Sequence, residues 1–110
     1  MESSAAIDRL AALAQPTRLE AFRLLVRAEP DGLPAGELAR RLGAPANTLS
    51  AHLGVLSRAG LISAERRSRS IIYRAEPGQV GALADYLLRD CCQGRAELCA
   101  PSDSTSASCS

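Results

Sequence analysis

Two short helical stretches lie side by side in the middle of this 110-residue chain, and the break between them is punctuated at both edges. Residues 35 to about 42 carry Leu38, Ala39 and Leu42 at helical spacing and stop at Gly43, a residue type that commonly follows a helix end. Pro45 then opens a stretch from about 46 to 59, with Leu49, Leu53 and Leu56 as its inward face and Gly60 as its stop. Helix, a turn of about three residues, helix is the spacing of a helix-turn-helix, and it limits the rest of the fold to a few architectures.

The flanks narrow the choice. Ser3 or Ser4 is placed to cap a first helix running to about Ala14, with Ile7, Leu10, Ala11 and Leu13 or Ala14 as its apolar stripe. Pro16 suits the first turn of a second helix bearing Leu19, Phe22, Leu25 and Val26, which ends before Pro30-Asp31-Gly32. After Gly60 the period shortens. Residues 61–66 and 70–74 are short and rich in β-branched residues, and Arg67-Ser68-Arg69 between them predicts a hairpin with a basic tip. Past Pro77-Gly78 a last helix is expected from near Gln79 to near Cys91, with Val80, Leu83 and Leu87 as its stripe and Ala84 and Leu88 alongside.

The expected fold class is mainly α with a small β-hairpin (α+β), a winged helix-turn-helix. At this length residues 1–100 form one domain, since a second would have no core of its own. Residues 101–110 are Ser-rich and expected to be disordered. Apolar residues make up 46% of the chain but aromatics only 3%, so the core has to be aliphatic, which suits packed helices. The first and last helices are apolar with little left to cover in so small a domain. A homodimer through these two helices is the natural outlet. No apolar run approaches the ~20 residues of a membrane span, and the first ten residues lack a signal peptide's basic start. The expectation is a cytoplasmic protein without membrane contact.

The net charge of +1 hides an asymmetry. Residues 35–75 hold seven Arg against Glu37 and Glu65, a net of +5, while the remainder is net −4. A basic segment inside a neutral total is what a nucleic-acid face looks like in a sequence. The four cysteines, at 91, 92, 99 and 109, all fall in the last twenty residues, where they cannot staple the fold. Clustered thiols in a cytoplasmic chain point to metal binding or redox chemistry.

Four blocks in register resemble one family: Leu13 to Leu19 with its Gln-Pro-Thr-Arg core, Gly36 to Gly43, Thr48 to Leu53, and Arg58 to Ile62. Across residues 7–90 the chain is similar to the ArsR/SmtB metal-responsive repressors. The resemblance implies a cytoplasmic homodimer that binds a palindromic operator and releases it when metal arrives. Two departures stand out. Many members carry a Cys-x-Cys box in the first helix of the helix-turn-helix, where this chain has Glu37 to Arg41 and no thiol. Zinc-sensing members use Asp and His on the last helix, and here Asp85 has no His beside it, His52 being the only one. The stretch from Asp90 to Cys99 instead resembles the C-terminal arsenite sites of some arsenic-responsive members.

A helix-turn-helix reads the major groove with the start of its second helix. Its outward residues here are Asn47, Thr48, Ser50 and Ala51; Asn can bond adenine bidentately, and Ser or Thr can reach a base or a phosphate. Arg40, Arg41 and Arg58 flank this face and Arg66, Arg67 and Arg69 sit on the wing, where they would neutralise phosphates of double-stranded operator DNA. His52 is expected to pack at the helix base or to bond the backbone.

Thiolates select soft ions. Cys91 and Cys92 are adjacent, and Gly94 lets the chain turn back to deliver Cys99. Three sulfurs without a fourth donor suit As(III) or Sb(III), one per chain, whereas a structural zinc site wants four ligands. Cys109 would join only by ordering the Ser-rich tail, and is left out. The rival expectation is a redox or persulfide switch, pairing Cys99 with Cys91 or Cys92 because adjacent cysteines close a strained ring. An enzyme is not expected. A catalytic thiol needs an activating environment, and Cys91 and Cys92 sit at a helix C-terminus beside Asp90, where the dipole opposes ionisation. Nothing in the chain suggests an organic cofactor. A metal carrier would explain the thiols but leave the basic segment without a purpose.

Overall fold

The computed structural model describes residues 1–92, with side chains through Arg89. Five helices and three strands follow in the order α1 (Ser3–Leu13), α2 (Pro16–Arg27), β1 (Leu33–Pro34), α3 (Ala35–Leu42), α4 (Ala46–Arg58), β2 (Ile62–Arg67), β3 (Ser70–Ala75) and α5 (Pro77–Cys92). This is the winged helix-turn-helix that the spacing predicted.

Several boundaries differ from expectation for local reasons. Ser3 and Ser4 lie inside α1, and Glu2 holds the cap position without a side-chain bond. At α2 Pro16 does take the first position, and the cap is supplied by Gln15, whose side chain accepts from the Arg18 amide at 2.8 Å. The wing turn is Ser68-Arg69 alone, because Arg67 still pairs with Ser70. The last helix begins at Pro77, two residues earlier than expected, since a proline costs nothing at a first helical position.

The strand β1 was not foreseen. It pairs antiparallel with β3 through Leu33↔Tyr73 and Pro34↔Ile72, giving the sheet order β1-β3-β2. The wing is thereby tied to the two residues that lead into α3. The turn into β1 passes so close to β3 that a Cβ at Gly32 would lie 2.4 Å from the Tyr73 carbonyl oxygen, and Gly32 has φ +77°. Gly43, with φ +64°, ends α3 in the left-handed conformation that glycine adopts without penalty.

One aliphatic cluster holds the elements together. Leu25 of α2, Leu38 of α3, Leu49, Leu53 and Leu56 of α4, and Leu61 are all fully buried, and Phe22, Leu33 and Ile62 join them. Burying a leucine contributes about 2 kcal/mol, so α4 is fixed mainly by its three. The stripes on α1 and α2 behave differently. The buried residues of α1 are Ala6 and Ala12, while Ile7 is 61% and Leu10 45% exposed. Leu19 and Val26 of α2 also face outward. On α5 Leu83 is buried but Leu87 is 44% exposed. Among the described residues, no helix is long and apolar enough to cross a membrane.

Candidate nucleic-acid interface

The start of α4 is built to be read from outside. With Leu49 and Leu53 turned into the core, helical geometry leaves Asn47, Thr48, Ser50 and Ala51 facing out, and all four are exposed. Pro45 occupies the N-cap and offers no side-chain acceptor. Asn47 partly substitutes for it: its Oδ1 accepts from the Thr48 amide at 2.9 Å. Its Oδ1 keeps a second lone pair and its side-chain amide hydrogens stay available for an adenine.

The arginines divide into committed and uncommitted groups. Glu37, on the first turn of α3, accepts from Arg40 and from Arg41 Nε at 2.7 Å, the three- and four-residue spacings at which helix side chains meet. Hydrogen bonds from Arg40 first and Arg41 second hold the Glu37 carboxyl down at about 2, and the same pairing raises Arg40. On the wing Glu65 accepts from Arg74 Nη1 and from Arg67 Nε at 3.3 Å, and its carboxyl is lowered, by Arg74 first. Arg66 and Arg69 make no ion pair among the described residues and stand exposed at the hairpin end. Arg58 lies apart, eleven residues beyond Asn47 or about 16 Å along the helix axis. Its guanidinium folds back over Gly54, within 3.3 Å of where a Cβ would sit.

The expected site residues thus gather as Asn47, Thr48, Ser50 and Ala51 on one helix turn, Arg40 and Arg41 at the end of α3, and Arg66, Arg67 and Arg69 on the wing. His52 makes no backbone bond through its ring among the described residues; its Nδ1 lies 3.3 Å from Arg18 Nη1. That contact was missed because the partners are 34 residues apart. The side chains of Cys91 and Cys92, and the whole of Cys99, Cys109 and the 101–110 tail, lie outside the described residues. Among the described residues no three His, Cys, Asp or Glu side chains gather as metal ligands.

An exposed helix start beside a basic hairpin, on a three-stranded winged scaffold, defines a DNA-binding transcriptional regulator. Residues 13–63 match the family model described as a helix-turn-helix domain. The transcriptional activator HlyU of Vibrio cholerae is 33% identical over 91 residues, covering 83% of this chain and 82% of that protein. Its structure described as reduced HlyU superposes with a TM-score of 0.64 at 31% identity, over 79% of this chain and 88% of that one. An ArsR-like transcriptional regulator from Rhodococcus sp. RHA1 is 30% identical, with a TM-score of 0.73 and 82% of each chain covered. The homodimeric winged helix-turn-helix domain of Mb0332 from Mycobacterium bovis, a possible ArsR-family regulator, is 26% identical, with a TM-score of 0.61 over 79% of this chain and 84% of that one. The chain belongs to the ArsR family of winged helix-turn-helix transcriptional regulators.

Proposed function

We propose that the protein is a homodimeric repressor that binds double-stranded operator DNA through α4 and the wing, and leaves it when As(III) or Sb(III) is captured by Cys91, Cys92 and Cys99. The observation carrying the DNA reading is the common exposure of Asn47, Thr48 and Ser50 beside the uncommitted Arg66 and Arg69. The exposed Ile7 and Leu10 of α1 and Leu87 of α5 support a two-fold contact, and the homodimeric state of Mb0332 is consistent with it. The case for a soft ion rests on the donor set, three thiols within nine residues.

The backbone of α5 stays helical through Cys92. Capture of one ion by two adjacent thiolates is proposed to unwind that last turn. Ligand capture would then be paid in helix at the end of α5, beside the proposed dimer contact. A coupling of about 1–3 kcal/mol between inducer and operator is typical of such linked sites.

A second reading has its own support, since HlyU is solved in a form described as reduced. In it, a disulfide or persulfide at Cys91, Cys92 and Cys99 replaces the ion. One experiment separates them. Operator DNA selected from a random pool is titrated with arsenite, antimonite, zinc, cadmium and an oxidant, for the unmodified chain and for the variant with Cys91, Cys92 and Cys99 changed to Ser. Release by As(III) or Sb(III) at about one equivalent per chain, lost in the variant, is the expected result. Release of the variant by arsenite overturns the site, and release by oxidant alone transfers it to the redox reading. A reporter that loses, rather than gains, expression when the chain is removed would replace repression with the activation named for HlyU.

A further inference from the structure

Leucine packing holds α4 against the core but is non-directional: it resists removal of the helix far more than a small slide or roll. DNA reading needs both fixed, because a bidentate contact tolerates little misplacement. Two arginines outside the DNA-facing surface supply directional bonds to this helix. Arg18, at the start of α2, gives Nε to the Ala12 carbonyl at 2.7 Å and Nη2 to the Ala11 carbonyl at 3.4 Å, both at the C-terminal end of α1. Its remaining Nη1 lies 3.3 Å from His52 Nδ1, on α4. A guanidinium only donates, so this contact is a hydrogen bond in the tautomer whose Nδ1 accepts. Arg9, on α1, gives Nε to the carbonyl of Ala59, the residue that caps the far end of α4.

We propose that Arg18, His52 and Arg9 form a clamp that sets the register of the reading helix against α1, and that they are positioning residues for sequence-specific DNA binding. The proposal rests on α4 being the reading helix. The two grips, at His52 and Ala59, stand seven residues or about 10 Å apart on one helix, enough to fix both its slide and its roll. Each arginine also satisfies carbonyls at a helix C-terminal end, where partners are lacking and a cation is favoured. Because α1 also exposes Ile7 and Leu10, the clamp joins the helix proposed to meet the second copy directly to the helix proposed to meet DNA. None of the three residues has to touch a base for this.

The test compares a duplex selected by the unmodified protein with a random-sequence duplex at matched salt, for Arg18→Gln, Arg9→Gln, His52→Leu and His52→Gln. The clamp predicts that Arg18→Gln and His52→Leu each weaken selected binding about tenfold while random binding changes less than about twofold, because phosphate contacts are untouched. His52→Gln, whose side-chain oxygen can accept from Arg18, restores selected binding. The Arg18→Gln/His52→Leu double variant is no weaker than Arg18→Gln alone, since the only bond His52→Leu removes is one that Arg18→Gln has already removed. Parallel loss on selected and random DNA, or additive losses in the double variant, would overturn the clamp. Should the unmodified chain prefer no sequence at all, the DNA reading itself fails, and that outcome is read before any variant is made.

Discussion

Helices α1 and α4 have similar lengths and similar aliphatic content, yet they use it in opposite ways. α4 puts Leu49, Leu53 and Leu56 inside and leaves small polar residues outside, so its packing is complete within one chain. α1 buries alanines and exposes Ile7 and Leu10. A helix that turns its small residues inward and its large ones outward has come close to its neighbours and kept its bulkier face for something else.

Changes inside α4 should break that contrast most severely. Leu53→Ala opens a cavity where the residue is fully buried and is expected to cost about 2–5 kcal/mol, read as a lower thermal midpoint. The paired change Ile7→Asp with Leu10→Asp on α1 should leave helical circular dichroism intact while weakening the proposed dimer by about 2 kcal/mol or more, read by sedimentation. A dimer that survives this change would locate the contact elsewhere.

These outcomes bear on how much was legible beforehand. Periodicity revealed both stripes, and for α4 the inward face followed at once from the helix-turn-helix. For α1 it could not, because a stripe records that two faces differ, not which neighbour each will meet. Two residues with a proline, Leu33-Pro34, show no alternation, so β1 became visible only when chain closure brought it beside Tyr73. The basic segment was legible as a count, but its effective charge was not, since Glu37 and Glu65 each occupy two arginines. The readout residues at 47, 48, 50 and 51 needed only helical geometry, whereas the Arg18–His52 contact depends on tertiary packing.

Smaller changes sharpen the charged end. Glu37→Gln releases Arg40 and Arg41, and the salt dependence of DNA binding should steepen by about one to two units of slope. Glu37 itself should titrate near 2 when followed by carbon NMR of its carboxyl. Its folded value is depressed, so its stabilising contribution is complete above the unfolded value of about 4.3 and disappears as pH falls through about 2. A midpoint in the ordinary carboxylate range would mean that the two arginines already point elsewhere.

The turn at Gly32 has a consequence for heredity. Its left-handed backbone and its closeness to the Tyr73 carbonyl exclude every residue that carries a Cβ. Gly43 shares the backbone conformation but faces open space. In a library of all single substitutions selected only for folded protein, codon 32 should survive with synonymous changes alone, while codon 43 should also admit asparagine, a residue that tolerates the left-handed region.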